Sequence, residues 1–363
     1  MAARVAAVIV NYNAGEHLVR TLDCLARQTL RPARTILVDN ASTDGSLAGV
    51  AERHPDVEVV RLEQNLGFAA ANNLAIRLAD DCEHVALVNP DAFAEPEWLE
   101  TLVSAAEEHP EYSFFGSRLV LSETPDLLDG TGDVYHVSGV AWRRDQYWPV
   151  ELARGREEIF SACAAAALYR RDALLEVGGF DESFFCYYED SDLAFRLRLA
   201  GHRCLHVDDA VVHHFGSATS GVRSDFSLYH SLRNQAWTYL KNMPAPLLLL
   251  YSPLYLLNAV LTLCALTCEG RGGLMLRAKR DAARGLPRVL RERRRIQRAR
   301  RTRIADLRAV LRTGPIGFIE AFGMQERLVG RLVKRGRPGG AVRASVLRAE
   351  TAPRRFRSRP ARG

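Results

Sequence analysis

Three carboxylates crowd into four positions, Glu189, Asp190 and Asp192, directly behind the aromatic-rich run Phe184-Phe185-Cys186-Tyr187-Tyr188. Two chemistries suit that pattern. Acids in the first turn of a helix complement its dipole, with Asp190 able to cap free N–H groups. Crowded acids also raise one another's proton affinity, which moves a carboxylate toward the working range of a general base. Further polar groups close three apolar runs: Asn11-Tyr12-Asn13, Asp39-Asn40 and Asn89-Pro90-Asp91. Asp39 could accept the imino N–H of a pyrimidine base, or cap the ASTDGS turn that also carries Asp44. Asp91 could turn the chain before Pro96. It could equally hold a hard divalent cation, Mg2+ or Mn2+, whose other positions are filled by diphosphate oxygens. His213 and His214 end another apolar run, where a histidine is more often a hydrogen-bonded structural group than a metal ligand.

Periodicity shows what must position these groups. VAAVIVNYN and RTILVDN are β-branched apolar runs ending in polar residues, the pattern of buried parallel strands. Between them Leu18, Leu22 and Leu25 recur at helical spacing. VEVVRL predicts another strand, FAAANNLAIRLA a helix and HVALVNPDA a further strand. Strands alternating with helices predict an α/β, doubly wound sheet. Such sheets bind ligands at the carboxyl ends of their strands, where Asn11–Asn13, Asp39–Asn40 and Asn89–Asp91 lie. Residues 129–160 have weak periodicity and read as irregular loops or a small hairpin. SACAAAALYRRDALLEVGGF predicts a strand and then a helix.

At 363 residues and 47% hydrophobic, the chain has room for one large domain and an appendage, or two domains. Its seven cysteines include no CxxC pair, which argues against a disulfide framework or zinc site and for a reducing compartment. The apolar stretch that ends at Val10 is too short for a secretory signal, so the expectation is a catalytic part that faces the cytosol. The net charge of +6 conceals a division. From Glu269 onward there are 28 basic and 7 acidic residues, a balance of +21; the first 268 residues carry 21 and 36, a balance of −15. Residues 247–268 hold no charge over 22 positions, long enough to cross a bilayer, although Pro253 and Asn258 weaken that reading. A crossing there would put the basic tail outside, against the positive-inside tendency. The expectation is therefore a peripheral or re-entrant segment at the cytoplasmic face of the cell membrane, with arginines on anionic lipid. A helical hairpin packed on the catalytic part is the alternative. RERRRIQRARRTR could bind nucleic-acid phosphates, but little aromatic interleaving accompanies it, and the expected partner is lipid, not nucleic acid.

In order, the chain reads VIVNYN, VDNASTDGS, NLGFAAANN, LVNPDA, GGFDESFFCYYEDSDLAFRLRLAGHR and HHFGSA. This series closely resembles the family 2 glycosyltransferases of GT-A fold, in particular their rhamnosyltransferase-like branch, over roughly residues 4 to 240. The resemblance implies a mixed doubly wound sheet over residues 1–240; beyond it, the apolar run and the arginine-rich composition predict a mostly helical membrane-associating region over 241–330 and a basic disordered tail over 331–363. It implies an inverting, metal-dependent transfer from a nucleotide-sugar donor, first dTDP-rhamnose and next a UDP-sugar. The acceptor would be a saccharide or polyprenyl-diphosphate-linked saccharide, in the synthesis of cell-surface polysaccharide.

Residue by residue, Tyr12 and Asp39 match positions that hold the base, with Asp44 beside them. Asn11, Asn13, Asn65, Gly67, Asn72 and Asn89 belong to the same nucleotide-sugar set. NPD matches the metal-binding DXD segment with Asn89 replacing the first acid, which leaves Asp91 as the ligand. His213 matches a histidine on the metal or diphosphate. Asp190 matches the catalytic base, with Glu189 beside it, while Asp192 is assigned to structure through Arg196 at i+4. Related enzymes often read ARN where this chain has Ala71-Asn72-Asn73. A cation near the nucleotide is thus absent, and Arg118, Arg143 or Arg144 could replace it. A sugar-nucleotide-binding protein without turnover is the competing class, and the joint presence of Asp91, Asp190 and His213 argues against it.

Overall fold

The computed structural model describes residues 4–152, 155–216 and 224–314. The first half alternates as its periodicity predicts: β1 (Val5–Asn11), α1 (His17–Ala26), β2 (Arg34–Asp39), the single turn α2 (Val50–Arg53), β3 (Val57–Arg61), α3 (Gly67–Leu78) and β4 (His84–Val88). β1 is parallel to both β2 and β4, and β2 to β3. Asn11 pairs with Asp39, so the polar ends of β1 and β2 are flush. Side chains alternate across the sheet with period two. Val5, Ala7 and Ile9 pack under α1, while Ala6, Val8 and Val10 face the layer that contains α3.

After β5 (Ala92–Ala94) and α4 (Trp98–Glu108) the sheet becomes mixed. β6 (Phe114–Leu121) is followed by β7 (Leu128–Gly130), β8 (Asp133–Tyr135), β9 (Ala141–Arg143) and β10 (Glu157–Ile159). The stretch read as loops or a hairpin therefore contains a hairpin, β8 with β9, flanked by short strands that join the main sheet. β11 (Ala166–Arg170) inserts antiparallel between β4 and β6. α5 (Arg171–Glu176), α6 (Glu189–Ala200) and β12 (Cys204–His214) complete the sheet, whose main path runs β10-β12-β6-β11-β4-β1-β2-β3.

Five helices follow: α7 (Asp225–Asn242), α8 (Ala245–Cys268), α9 (Gly272–Arg284), α10 (Leu286–Ala299) and α11 (Ile304–Val310). They belong to the same compact unit as the sheet, Met1–Gly314, and position 240 falls inside α7. The expected tail at 331–363 lies outside the described residues.

α8 is the uncharged segment, and by length and composition it could cross a membrane. It runs through Pro253 because the Leu249 carbonyl, left without an N–H partner, accepts the Ser252 hydroxyl at 3.1 Å. Its two faces differ. Leu247, Leu248, Tyr251, Leu254 and Tyr255 pack against the main core, and Tyr255 stacks on Tyr239 of α7 with rings 4.3 Å apart and 9° from parallel. Leu249, Leu250, Leu256, Leu257 and Val260 are exposed on the other side, Leu249 by 76%. One face is docked on protein and the other is bare.

Candidate active site

The loops that leave β1, β2 and β3 are tied together by the polar residues at the strand ends. Asn11, wholly buried, donates to Asp39 Oδ1 at 2.8 Å, and Asp39 Oδ2 accepts the Ser42 N–H at 3.2 Å. Asn13 takes a positive φ of 53° and accepts the Thr43 N–H at 2.8 Å. Asp44 accepts the N–H groups of Gly15 and Ser46 at 2.8 and 3.0 Å. Its carboxyl lies below the usual range, because those hydrogen bonds outweigh what burial it has. Asn40 and Asn65 bond to each other at 2.8 Å and accept the N–H groups of Leu66 and Gly67. Tyr12 is exposed beside them, with its ring free to stack on a planar ligand.

Gly67 makes a close approach. Its φ is +85°, and a Cβ there would lie 2.6 Å from the Phe185 carbonyl oxygen. The residue thus seats the loop that carries the acids against α3, where the Ala69 N–H donates to the same oxygen at 3.2 Å. Asn72 is buried and turned into its own helix, donating to the Phe68 carbonyl at 2.9 Å.

The Asn89–Asp91 turn is gripped from two sides. Thr21 of α1 donates to the Pro90 carbonyl at 2.8 Å, and the Phe215 N–H donates to the Asp91 carbonyl at 3.0 Å. Alternation along β12 then decides which histidine meets Asp91. His214, buried, brings Nε2 to 3.4 Å from Asp91 Oδ1, while His213 points the other way to Glu95 at 3.1 Å. The histidine beside Asp91 is therefore one position beyond the one the family pattern indicated.

His214 Nδ1 lies 2.7 Å from Asp129 Oδ2, and Arg143 pairs with the same carboxylate. Burial alone would lower the His214 pKa, but the Asp129 and Asp91 carboxylates raise it. Asp91 and Asp129 both fall below the ordinary range: burial pushes them up, and His214, with Arg143 at Asp129, more than reverses it. Of the three arginines that could replace the missing cation, Arg143 is the one at this centre. Arg144 is engaged with Glu157 and Thr131, and Arg118 with the Val150 carbonyl.

Beyond Arg143 lie the acids of the opening question. Oxygens of Asp133 and Asp190 and the Cys163 sulfur lie within 4.8 Å of one another. Burial raises the Asp190 pKa, against the Ser191 N–H and Arg143, which lower it. Asp133 is raised well above the ordinary value by burial and by Asp190. Gly132 permits this approach: at φ +104° a Cβ would sit 2.7 Å from the Ser161 carbonyl oxygen. Asp91, His214, Asp129 and Arg143 therefore form one run of ionic contacts, and the Arg143 charge also bears on Asp133 and Asp190.

The aromatic-rich run is divided by the fold. Phe184 is wholly buried against Trp237, so it belongs to the core, whereas Phe185 and Tyr187 lie near the exposed Phe226. Phe185, Tyr187 and Tyr188 all take positive φ, between 66° and 68°, a costly conformation for residues with side chains. Asn234 of α7 holds them there, its amide nitrogen 3.0, 2.9 and 2.7 Å from the carbonyls of Phe184, Cys186 and Tyr187. α6 begins at Glu189 behind a left-handed Tyr188, so Asp190 is not its cap. Glu189 is buried, its Oε2 lacks a hydrogen-bond partner, and burial and Asp190 push its pKa well up. Asp192 is structural as expected, 2.8 Å from Arg196 and 2.8 Å from Lys241.

Asp129, Asp133 and Asn234 escaped the sequence reading, and His214 was noted there without being assigned to the site. The spaced acids of DGTGD, either side of two glycines, were the available signal for the first two.

Comparison with known proteins agrees with this architecture. The family described as Glycosyl transferase family 2 matches residues 6–178. The N-acetylglucosaminyl-diphospho-decaprenol L-rhamnosyltransferase of Mycobacterium tuberculosis is 32% identical over 236 residues, 58% of this chain and 76% of that protein. The O-antigen biosynthesis protein RfbC of Myxococcus xanthus is 30% identical over 220 residues, 57% of this chain and 17% of that protein. Among solved structures, GalNAc-T7 with UDP, GalNAc and Mn2+ aligns with a TM-score of 0.54 at 16% identity, over 66% of this chain and 48% of that one. That likeness speaks to the fold, which is GT-A.

Proposed function

Since the chain belongs to glycosyltransferase family 2, we propose that it moves rhamnose from dTDP-rhamnose to a polyprenyl-diphosphate-linked saccharide, with inversion, at a membrane surface. The observation that supports the mechanism is the run of ionic contacts from Asp91 through His214 and Asp129 to Arg143, whose charge also bears on Asp190, so that a cation-holding acid and a proton-accepting acid would flank one donor. The sugar and the acceptor follow the activity named for the mycobacterial relative, and the nucleotide follows the family resemblance alone. α8 supports the membrane location, since its bare leucines form one continuous stripe.

The donor diphosphate would lie at the Asp91 turn, with the base stacked on Tyr12 and its imino N–H toward Asp39. A divalent cation would be held by Asp91 and His214. The His214 Nε2 is buried without a hydrogen-bond partner, and Asp129 orients the ring from its other nitrogen, the arrangement common behind metal-bound histidines. When bound, such an ion offsets charge growing on the departing diphosphate. Arg143 supplies a second, fixed positive charge on the same path. An acceptor hydroxyl has a pKa far above neutrality, so a positioned carboxylate must take its proton as the bond to the anomeric carbon forms. Asp190 is that base: burial raises its pKa, which strengthens it as a proton acceptor, and the Ser191 N–H and Arg143 favour its charge.

The test is transfer from dTDP-rhamnose to a lipid-linked N-acetylglucosamine acceptor. Asp190→Asn should lower turnover by at least about 10³-fold while dTDP-rhamnose still binds. EDTA should stop the wild type, and Mn2+ or Mg2+ restore it. Undiminished turnover in Asp190→Asn would remove this residue from the base role, and indifference to chelation would remove the metal.

A further inference from the structure

α10 crosses the junction of α7 and α8 and is held there by two side chains. Arg293 donates to the carbonyls of Leu240 and Met243 at 2.7 and 2.6 Å, and Gln297 to that of Asn242 at 2.8 Å. Between α10 and the start of α8 lies a cavity of about 520 Å³. Its charged side is Arg293, Arg294, Arg298 and Arg300; its apolar side includes Pro246 and Leu290. Among the described residues, no acid lies within ion-pair distance of any of these four arginines, although the chain has 43 acids and pairs most of its other buried and half-buried arginines. Arg293 is committed to those carbonyls, whereas Arg294 and Arg298 are exposed cations on the cavity wall, and an anion in the cavity would supply the counter-charge they lack.

The surroundings of the cavity narrow the kind of anion. Leu249 and Leu250 follow Pro246 at i+3 and i+4, so they share its side of α8 and lie one turn beyond the cavity. They are exposed by 76% and 60%, and the stripe continues through Leu256, Leu257 and Val260. A site with arginines at one end and a bare hydrocarbon track leading away matches an anionic head group that carries alkyl chains. We propose that this cavity binds the phosphate head group of an acidic phospholipid, with the acyl chains along the outer face of α8. The proposal rests on the membrane location given above and adds to it a specific docking site with a preference for acidic lipid.

Flotation of the full chain with vesicles tests it. Phosphatidylcholine vesicles are compared with vesicles containing about 30% phosphatidylglycerol; the wild type should bind the acidic ones roughly tenfold or more tightly. The double variant Arg294→Gln/Arg298→Gln changes two exposed side chains and should lose about tenfold or more on acidic vesicles, with no change on neutral ones. Arg27→Gln/Arg31→Gln removes the same charge from an exposed part of the catalytic region and should cost little. An equal loss in that control would overturn the site in favour of diffuse attraction. Equal wild-type binding to both vesicles would overturn the head-group preference and leave the membrane location standing. Failure to float with either would overturn both. Single-stranded RNA that competes the protein off acidic vesicles in the wild type but not in Arg294→Gln/Arg298→Gln would reassign the cavity to nucleic acid.

Discussion

Glu189 and Asp190 are neighbours in the chain but differ in what the fold offers them. Asp190 has the Ser191 N–H and Arg143 near its charge, whereas Glu189 has a buried oxygen with no partner. Glu189 should therefore ionise less readily than an ordinary carboxyl in the folded enzyme and play no part as a base. Its folded pKa lies above the unfolded value of about 4.3, so below that pH it costs nothing, and the fold loses stability as pH rises toward the folded pKa. Glu189→Gln cannot ionise and escapes that loss. It should melt at least about 2 °C higher than wild type at pH 8, with a smaller gain at pH 5, and keep turnover within several-fold. A lower melting point at pH 8, or turnover as poor as that of Asp190→Asn, would contradict this division. The acids were legible because they cluster at a helix start and at strand ends. Asp133 and Asp129 were not, because they sit on strands of three residues, too short to leave a periodic trace. The choice between His213 and His214 also lay beyond the sequence: a strand's alternation says that the two point apart, but not which one points inward.

Among elements, the loop before α6 carries the greatest backbone strain near the site. Three residues with positive φ cost on the order of 1–3 kcal/mol each, and they persist because neighbouring groups fix them. Asn234 bridges three of the loop's carbonyls, and Arg233 adds a bond to Phe184 at 2.9 Å. Asn234→Ala should let the loop relax and move Asp190 off its line. Turnover should fall by about 10²-fold while affinity for the nucleotide sugar, bound at the β1 and β2 ends, changes little. Equal losses in both would mean that Asn234 supports the whole cleft and not the loop alone. The alternating first half was readable from its 3.6- and 2-residue periods. The loop conformation was not, since an aromatic-rich run carries no sign of left-handed backbone, and the residue that holds it lies about 50 positions downstream.

For the molecule as a whole, the helical region is not a detachable anchor. The inner face of α8 completes the core beside Tyr239 and Leu240, and α10 closes over Trp237. A chain ending at Met243 should therefore be insoluble or molten, and one ending at Gly314 should melt as the full chain does; circular dichroism of the two truncations decides it. A cleanly folded chain ending at Met243 would show that α8 is dispensable to the core. Charge asymmetry announced a basic end, and the uncharged run announced an apolar helix, but neither told which half of its surface the protein itself would cover. The Tyr239–Tyr255 ring stack, with the packing around it, makes α7 and α8 a single rigid piece, and α7 also grips the loop that leads to the base. If the outer leucines rest on a membrane as proposed, the reacting carbon would stand at one set elevation above it. The protein would then carry a built-in gauge: a lipid-linked acceptor whose sugar end rises too little or too far from that plane would miss Asp190, however well its sugar fits.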